Sequence, residues 1–137
     1  MKRLVLLLLA VFVLAACEDE DKDKKAAGAA CAGAPAQMQA HPALPAGFPD
    51  AAGIHYTGVQ QKGPTTVASG YLTETIGPAH DAYMKAVGNA RGYKVTHDEQ
   101  DAADSEVNFE GNGKSGQVKM VQECKSRTTV TITIRPA

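Results

Sequence analysis

The stretch Val107-Asn108-Phe109-Glu110-Gly111-Asn112-Gly113-Lys114 decides the fold. Asn-Gly between two alternating segments is the strongest short-range signal for a β-hairpin with a two-residue turn. Such a turn at 112–113 places Phe109 opposite Gly116 and Val107 opposite Val118, on one face of the sheet. We therefore expect the Phe109 ring to lie over the bare glycine backbone.

A second hairpin follows from the same alternation. Val118 and Met120 share a face with Val130 and Ile132, and paired residues on antiparallel strands share a face. Two registers fit, 120 with 130 and 118 with 132, or 120 with 132 and 118 with 134, and both require an odd number of connecting residues. We therefore predict a loop of three or five residues with Cys124 at its start.

The rest of the domain is predicted from the same periodicities. Strands are expected at about 54–60 and 65–72, and one helix within Thr73–Gly92. Later alternating segments centre on 93–97, 107–111 and 130–134. The helix has a stripe of small residues at helical spacing. We predict a two-layer α+β fold, one helix on a mainly antiparallel five-stranded sheet in the order ββ-α-βββ.

Composition limits the possible functions. The chain has 137 residues, 14 basic and 15 acidic, with a net charge of -1. Such a balance gives no overall field to attract nucleic acid, so we predict no nucleic-acid partner. No glycine-rich phosphate loop, nucleophile elbow or HExxH motif occurs, so we predict no enzymatic activity and no cofactor beyond a covalent lipid.

The N-terminus has a basic head, Lys2-Arg3, an apolar run from Leu4 to Val13, and then Leu14-Ala15-Ala16-Cys17. This order resembles the signal peptide and lipobox of bacterial lipoproteins. The resemblance implies cleavage before Cys17 and a diacylglycerol and acyl (palmitate-type) lipid on its thiol. Residues 1–16 would then be a signal peptide and the protein a membrane-anchored component of the cell envelope. A cleaved ordinary signal and a membrane helix are the alternatives, although a spanning helix needs about 20 apolar residues.

Residues 17–40 follow as a charged block and an Ala/Gly/Pro-rich run, which predicts a disordered tether. Glu18, rather than Asp, follows the cysteine, which by the same resemblance favours the outer over the inner membrane. The domain is predicted to span 41–137 and to begin with the proline-rich segment 41–49. Its overall pattern loosely resembles that of other small bacterial lipoproteins, which implies no activity.

With Cys17 lipidated, Cys31 and Cys124 remain as an even pair in an oxidising compartment, which predicts a disulfide. They could instead stay free or pair between molecules.

The histidines suggest a second kind of site. A strand returning beneath the helix brings His97 to the end where His80 lies, near Asp81 and Asp98. Two imidazoles with carboxylates could form a transition-metal site or a pH-sensitive contact. The alternative is a histidine at the edge of the core and a solvated one.

Three functions follow. The first is a non-enzymatic binding or scaffolding module whose partner is another envelope protein or component, bound through a polar sheet face or an exposed strand edge. The second is a small-ligand or metal-binding protein using the His80/His97 end. The third is a small hydrolase-type enzyme.

Overall fold

The structure is a computed structural model that describes residues 27–137. The predicted signal peptide at 1–16, the lipidation site Cys17 and the first part of the predicted tether lie outside these residues. Within 27–137, no helix is both long enough and apolar enough to span a bilayer.

The described chain contains six strands and a 14-residue helix. They are β1 (His55–Lys62), β2 (Thr65–Leu72), α1 (Ile76–Asn89), β3 (Tyr93–Gln100), β4 (Asp104–Gly111), β5 (Lys114–Cys124) and β6 (Arg127–Pro136). All strand pairs are antiparallel, and the order across the sheet is β1-β2-β6-β5-β4-β3. The α+β prediction is confirmed. The count of five strands was one short, because Lys114–Cys124 forms a long strand of its own.

One face of the sheet is covered by α1. The helix contributes Ala79, Tyr83 and Val87, none of which is exposed to solvent. Small Ala79 lets the helix backbone approach the strands, and Tyr83 fills the space beside it. The sheet side of the core is mainly aliphatic and includes Ala68, Leu72, Val107, Phe109, Val118, Met120, Val130, Ile132 and Ile134.

The helix begins where a backbone group is satisfied from the sheet. Thr75 occupies the N-cap position without a side-chain cap, and the Ile76 N–H donates to the Gln122 Oε1 at 3.1 Å. The first backbone donors of a helix have no partner within it, so a sheet side chain supplies one here. This hydrogen bond joins α1 to β5.

The hairpin at 112–113 forms as predicted. Asn112 and Gly113 both have positive φ, at 50° and 69°, and Phe109 pairs with Gly116 and Val107 with Val118. A Cβ on Gly116 would lie 2.5 Å from Phe109 Cζ, so the ring does cover this glycine.

The second hairpin has the first of the two expected registers, but the predicted loop is wrong. Met120 pairs with Val130 and Val118 with Ile132. The turn has only two residues, Lys125 and Ser126, and the register shifts between Gln122 and Cys124. A β-bulge at Glu123 therefore supplies the odd residue that the alternation requires.

Part of the predicted tether is bound to the sheet. The Ala29 carbonyl accepts from the Lys125 N–H at 2.8 Å, and the Met38 N–H donates to the Tyr56 carbonyl at 2.7 Å. We call residues 29–38 the N-terminal strap. Beyond it, the proline-rich segment turns onto the helix side of the sheet, where Phe48 meets Tyr93 and Phe109 edge to face. In the described residues, ordered contacts with the domain thus begin before position 41.

Candidate functional site

The N-terminal strap is attached at the β5–β6 turn by a covalent bond. Cys31 and Cys124 form a disulfide with their Cα atoms 5.1 Å apart and 93 residues apart in sequence. Cys124 is buried at the end of β5, and Cys31 lies at the start of the strap. The strap therefore leaves the domain at a fixed point.

Arg127 reinforces this attachment. Its Nη1 donates to the Ala32 and Gly33 carbonyls at 3.1 and 3.2 Å, and its Nε and Nη2 each donate to Glu123 at 2.8 Å. The hydrogen bonds to Glu123 raise the pKa of the guanidinium, the carboxylate's charge adding to the effect and desolvation opposing it. Glu123 is the bulged residue. The bulge that corrects the hairpin register therefore also supplies the counterion of Arg127, the residue that binds the strap.

The strap also covers Tyr71, which otherwise faces the side of the sheet away from the helix. Gln37 Nε2 donates to the Tyr71 hydroxyl at 2.8 Å, and the His55 ring stacks on Tyr71 at 5.0 Å between centroids. Tyr71 is 2% exposed as a result. The strap therefore closes one corner of this side of the sheet.

The rest of that side forms what we call the open face. It carries polar side chains from the central strands, among them Thr129, Thr131 and Thr133 of β6, Gln117 and Lys119 of β5, and Glu106 and Asn108 of β4. Glu106 accepts from Gln117 Nε2 at 2.8 Å and from Lys119 Nζ at 3.2 Å. The open face is thus a broad surface of hydroxyl, amide and charged groups.

His80 is buried between α1 and the sheet, at 6% exposure. Its Nδ1 lies 2.6 Å from Ser105 Oγ and its Nε2 lies 3.7 Å from Asp98 Oδ2. Ser105 donates its hydroxyl proton to the Glu99 carbonyl at 2.8 Å, so the Nδ1–H of His80 must donate to Ser105 Oγ. His80 is therefore hydrogen-bonded to a serine, with a carboxylate near its other ring nitrogen.

His97 is not brought to His80. The β3–β4 register shifts between Val95 and His97, which leaves Thr96 as a bulge. After this shift, Asp98 pairs with buried Val107 and faces the helix, whereas His97 pairs with Asn108 and is exposed on the open face. The prediction that His80 and His97 share one site is wrong, because one extra residue reverses which side chains point inward.

The chemistry of the His80 cluster is limited by burial and proton direction. A serine nucleophile gives its proton to histidine, whereas Ser105 gives its proton to Glu99 and is 2% exposed. Among residues 27–137, no group of three or more His, Cys, Asp or Glu side chains is placed to hold a metal ion. The cluster as built satisfies a buried imidazole and ties α1 to β3 and β4.

A second polar cluster centres on Asp50. His41 Nε2 lies 2.6 Å from Asp50 Oδ2, and the Tyr56 hydroxyl donates to the same carboxylate. The hydrogen bond to Asp50 raises the pKa of His41, with desolvation opposing it, while burial raises the pKa of Tyr56, and its hydrogen bond to Asp50 adds to this. Burial also raises the pKa of Tyr83, whose hydroxyl has no hydrogen-bond partner among residues 27–137.

An open groove of about 570 Å³ lies between the outer side of α1 and residues 50–52. Its lining includes Ala52, Ala82 and Ala86 together with the carboxylates of Asp50, Glu74 and Asp81. Asp50 thus links the buried tyrosines to this groove.

Several of these residues were missed in the sequence. Ser105 sits at an inward position of its strand, so a polar residue within an alternating apolar face was the available signal. Arg127 lies on the other side of the sheet, beneath the strap, and the alternation gave no signal for it. Asp50 gave no such signal, since its partners lie in a loop and on β1.

Comparisons with family models, curated proteins and solved structures find no match, so the function is argued from the residues alone.

Proposed function

We propose that the protein is a non-enzymatic lipoprotein of the cell envelope, anchored by a lipid on Cys17, whose domain binds or scaffolds another envelope component through the open face. Where the cell has two membranes, we propose the outer one. The lipobox-like Leu14-Ala15-Ala16-Cys17 supports the anchor. The structure supports only the second part of the proposal, the binding role of the domain.

The observation that carries the binding role is how the two sides of the sheet differ. One side is filled by α1 and the proline-rich segment, whereas the strap closes only the Tyr71 corner of the other. Thr131 and Thr133 lie in the centre of the open face, on the central strand β6. Rigid central strands present donors and acceptors in fixed positions, which suits recognition of a partner surface.

The anchor is tested by mass spectrometry of the protein from its native cells. We expect a mature N-terminus at Cys17 carrying diacylglycerol and acyl mass, and recovery with the membrane fraction. Cys17→Ser should leave an uncleaved or soluble form, and Cys31→Ser is the matched control that should keep the lipid. An intact leader, or an N-terminus without fatty acid, would contradict the proposed anchor.

The binding role is tested by placing a photocrosslinking residue at Thr131 in the full-length protein in cells. We expect a discrete adduct that disappears in a Thr133→Arg background, because a bulky cation beside it disrupts a complementary surface. The control position is Lys85, exposed on the opposite, helical side. Equal adducts from both positions, or none from Thr131, would argue against the open face.

A further inference from the structure

The two ends of the sheet differ in charge. At the tether end, where the strap joins the β5–β6 turn, Ala103 accepts from the Gln122 N–H and Glu74 accepts from the Thr128 hydroxyl. The charged residues of this end are mostly acidic: Glu74, Asp101, Asp104 and Glu123, with Lys125 and Arg127. The tether end is therefore negative, and Arg127 is already occupied by Glu123.

The opposite end, which we call the distal end, is basic. It contains the β1–β2 and β4–β5 turns and the C-terminal end of α1. Its charged side chains are Lys62, Arg91, Lys94, Lys114 and Arg135, with Glu110 as the one carboxylate in this part of the described chain. All are exposed except Lys114, which is half-buried. The protein thus separates its charges along the strands although its net charge is only -1.

The register aligns most of these cations. Lys62 pairs with Thr65, Arg135 with Ser115, Ser115 with Glu110, and Glu110 with Lys94. Strands lie about 4.8 Å apart, so a row across six strands is about 24 Å long. Arg91 adjoins the row, since its carbonyl accepts from Asn112 Nδ2 at 3.4 Å. Within this row Lys94 is paired with Glu110, at 3.5 Å between Nζ and Oε2. The distal end is therefore a mainly cationic ridge, with the Thr65 and Ser115 hydroxyls between its charged groups.

We propose that the distal end binds an extended polyanion of the cell envelope, a polymer with repeating phosphate groups. A ligand there is attracted to the cations, while the repulsion from the acidic end is screened by salt. The 11-residue β5 is about 36 Å long, whereas charges in 0.15 M salt are screened over about 8 Å. The distal pocket is shallow and open, about 480 Å³ and lined in part by Lys94, Glu110 and Lys114, which suits a polymer lying across it.

The tether orients this surface, and this step rests on the proposed anchor at Cys17. Cys31 lies 14 positions after Cys17, a span of about 48 Å when fully extended and about 21 Å as a flexible coil. The tether joins the domain at the acidic end, through Cys31 and Cys124. This attachment leaves the basic ridge at the opposite end of the sheet, where it can meet a polymer of the envelope.

The test uses the full-length lipidated protein in nanodiscs of neutral phosphatidylcholine, with long-chain inorganic polyphosphate as the probe. We compare wild type with K62Q/K114Q/R135Q at the distal end and with the charge-matched control K22Q/K85Q/K125Q, all checked for thermal unfolding. We expect the distal variant to bind at least about tenfold more weakly and to lower the slope of log K against log salt by about 2 to 3, while the control changes less than about twofold.

Several outcomes would overturn the proposal. They are no binding by wild type in low salt, equal losses in both triple variants, or binding to phosphatidylglycerol vesicles without binding to polyphosphate. Hydrogen exchange of the wild type gives a check without substitutions: protection by polyphosphate at 62–65 and 112–116 supports the ridge, and protection at 98–106 contradicts it. If the protein from native cells carries no lipid but binds polyphosphate, the proposed anchor is wrong and the ridge is supported. If the protein is lipidated but does not bind polyphosphate, the anchor is supported and the ridge is wrong.

Discussion

Gly116 shows how a single residue admits the close packing of this sheet. A Cβ there would lie 2.1 Å from the Thr133 carbonyl oxygen and 2.5 Å from Phe109 Cζ. Both contacts are far inside van der Waals distance, and one of them is to backbone that cannot rotate away. The small residue is therefore required by its neighbours in β4 and β6.

We expect Gly116→Ala to destabilise the fold by about 1–3 kcal/mol, the usual cost of overpacking. The matched control is Gly88→Ala in α1, where a Cβ meets nothing within 4 Å. This change should stabilise by up to about 1 kcal/mol, because alanine is the better helix former. Urea unfolding measures both. A neutral Gly116→Ala would show that the Phe109 ring is free to move off the glycine.

Ser105 is the residue that satisfies His80 inside the core. Removing its hydroxyl leaves the buried Nδ1–H of His80 without a partner, so Ser105→Ala should destabilise by about 1–3 kcal/mol. Ser69→Ala is the control, on the exposed side of β2, and should fall within about 0.5 kcal/mol of wild type. Similar values for the two variants would indicate that water replaces Ser105.

The His41–Asp50 pair predicts a pH dependence. Because its partner raises the pKa of His41 in the folded state, the pair's stabilisation is complete below about pH 6.5 and is lost as the pH rises through the raised pKa. The pair is largely exposed, so we expect less than about 1 kcal/mol. Asp50→Asn should lower the pKa of His41 in an NMR titration, whereas Asp81→Asn should not. An unchanged His41 titration in Asp50→Asn would contradict this.

At the scale of elements, the β5–β6 hairpin carries the attachment of the strap. Its bulge places Glu123 beside Arg127, and its turn brings Cys124 to Cys31. The hairpin therefore joins the N-terminal part of the described chain to the centre of the sheet.

Removal of the disulfide tests this junction. We expect Cys31→Ser with Cys124→Ser to lower the free energy of unfolding by up to about 4 kcal/mol, the entropy estimate for so long a loop. The strap amides should then exchange faster than they do in the wild type with its disulfide intact. Wild type under a dithiol reductant is the comparison. Unchanged exchange at 29–38 would mean that Arg127 and Gln37 hold the strap without the covalent bond.

At the scale of the whole molecule, the sheet has protected edges and a rigid centre. The edge strands β1 and β3 each contain a register shift, between Tyr56 and Gly58 and between Val95 and His97. Bulges twist an edge and discourage pairing with another chain. On the helix side, the centre, β6 beside β5, is covered by apolar side chains along its length.

We therefore expect hydrogen exchange to be slowest in β5 and β6 and faster in β1 and β3, since local opening follows burial. Mass spectrometry of pepsin fragments measures this for each strand. Exchange in β6 as fast as in β3 would mean that the sheet does not open from its edges.

The sequence by itself determined what depends on neighbours along the chain. The Asn112-Gly113 turn, the shared face of Met120 and Val130 and the helix on one side of the sheet follow from turn chemistry and from periods of two and 3.6 residues. Only the tertiary structure decided the bulges at Thr96 and Glu123. A bulge depends on how two strands fit together, and it reverses every later side chain on its strand. For this reason His97 faces solvent, Asp98 faces His80, and Glu123 meets the arginine that holds the strap.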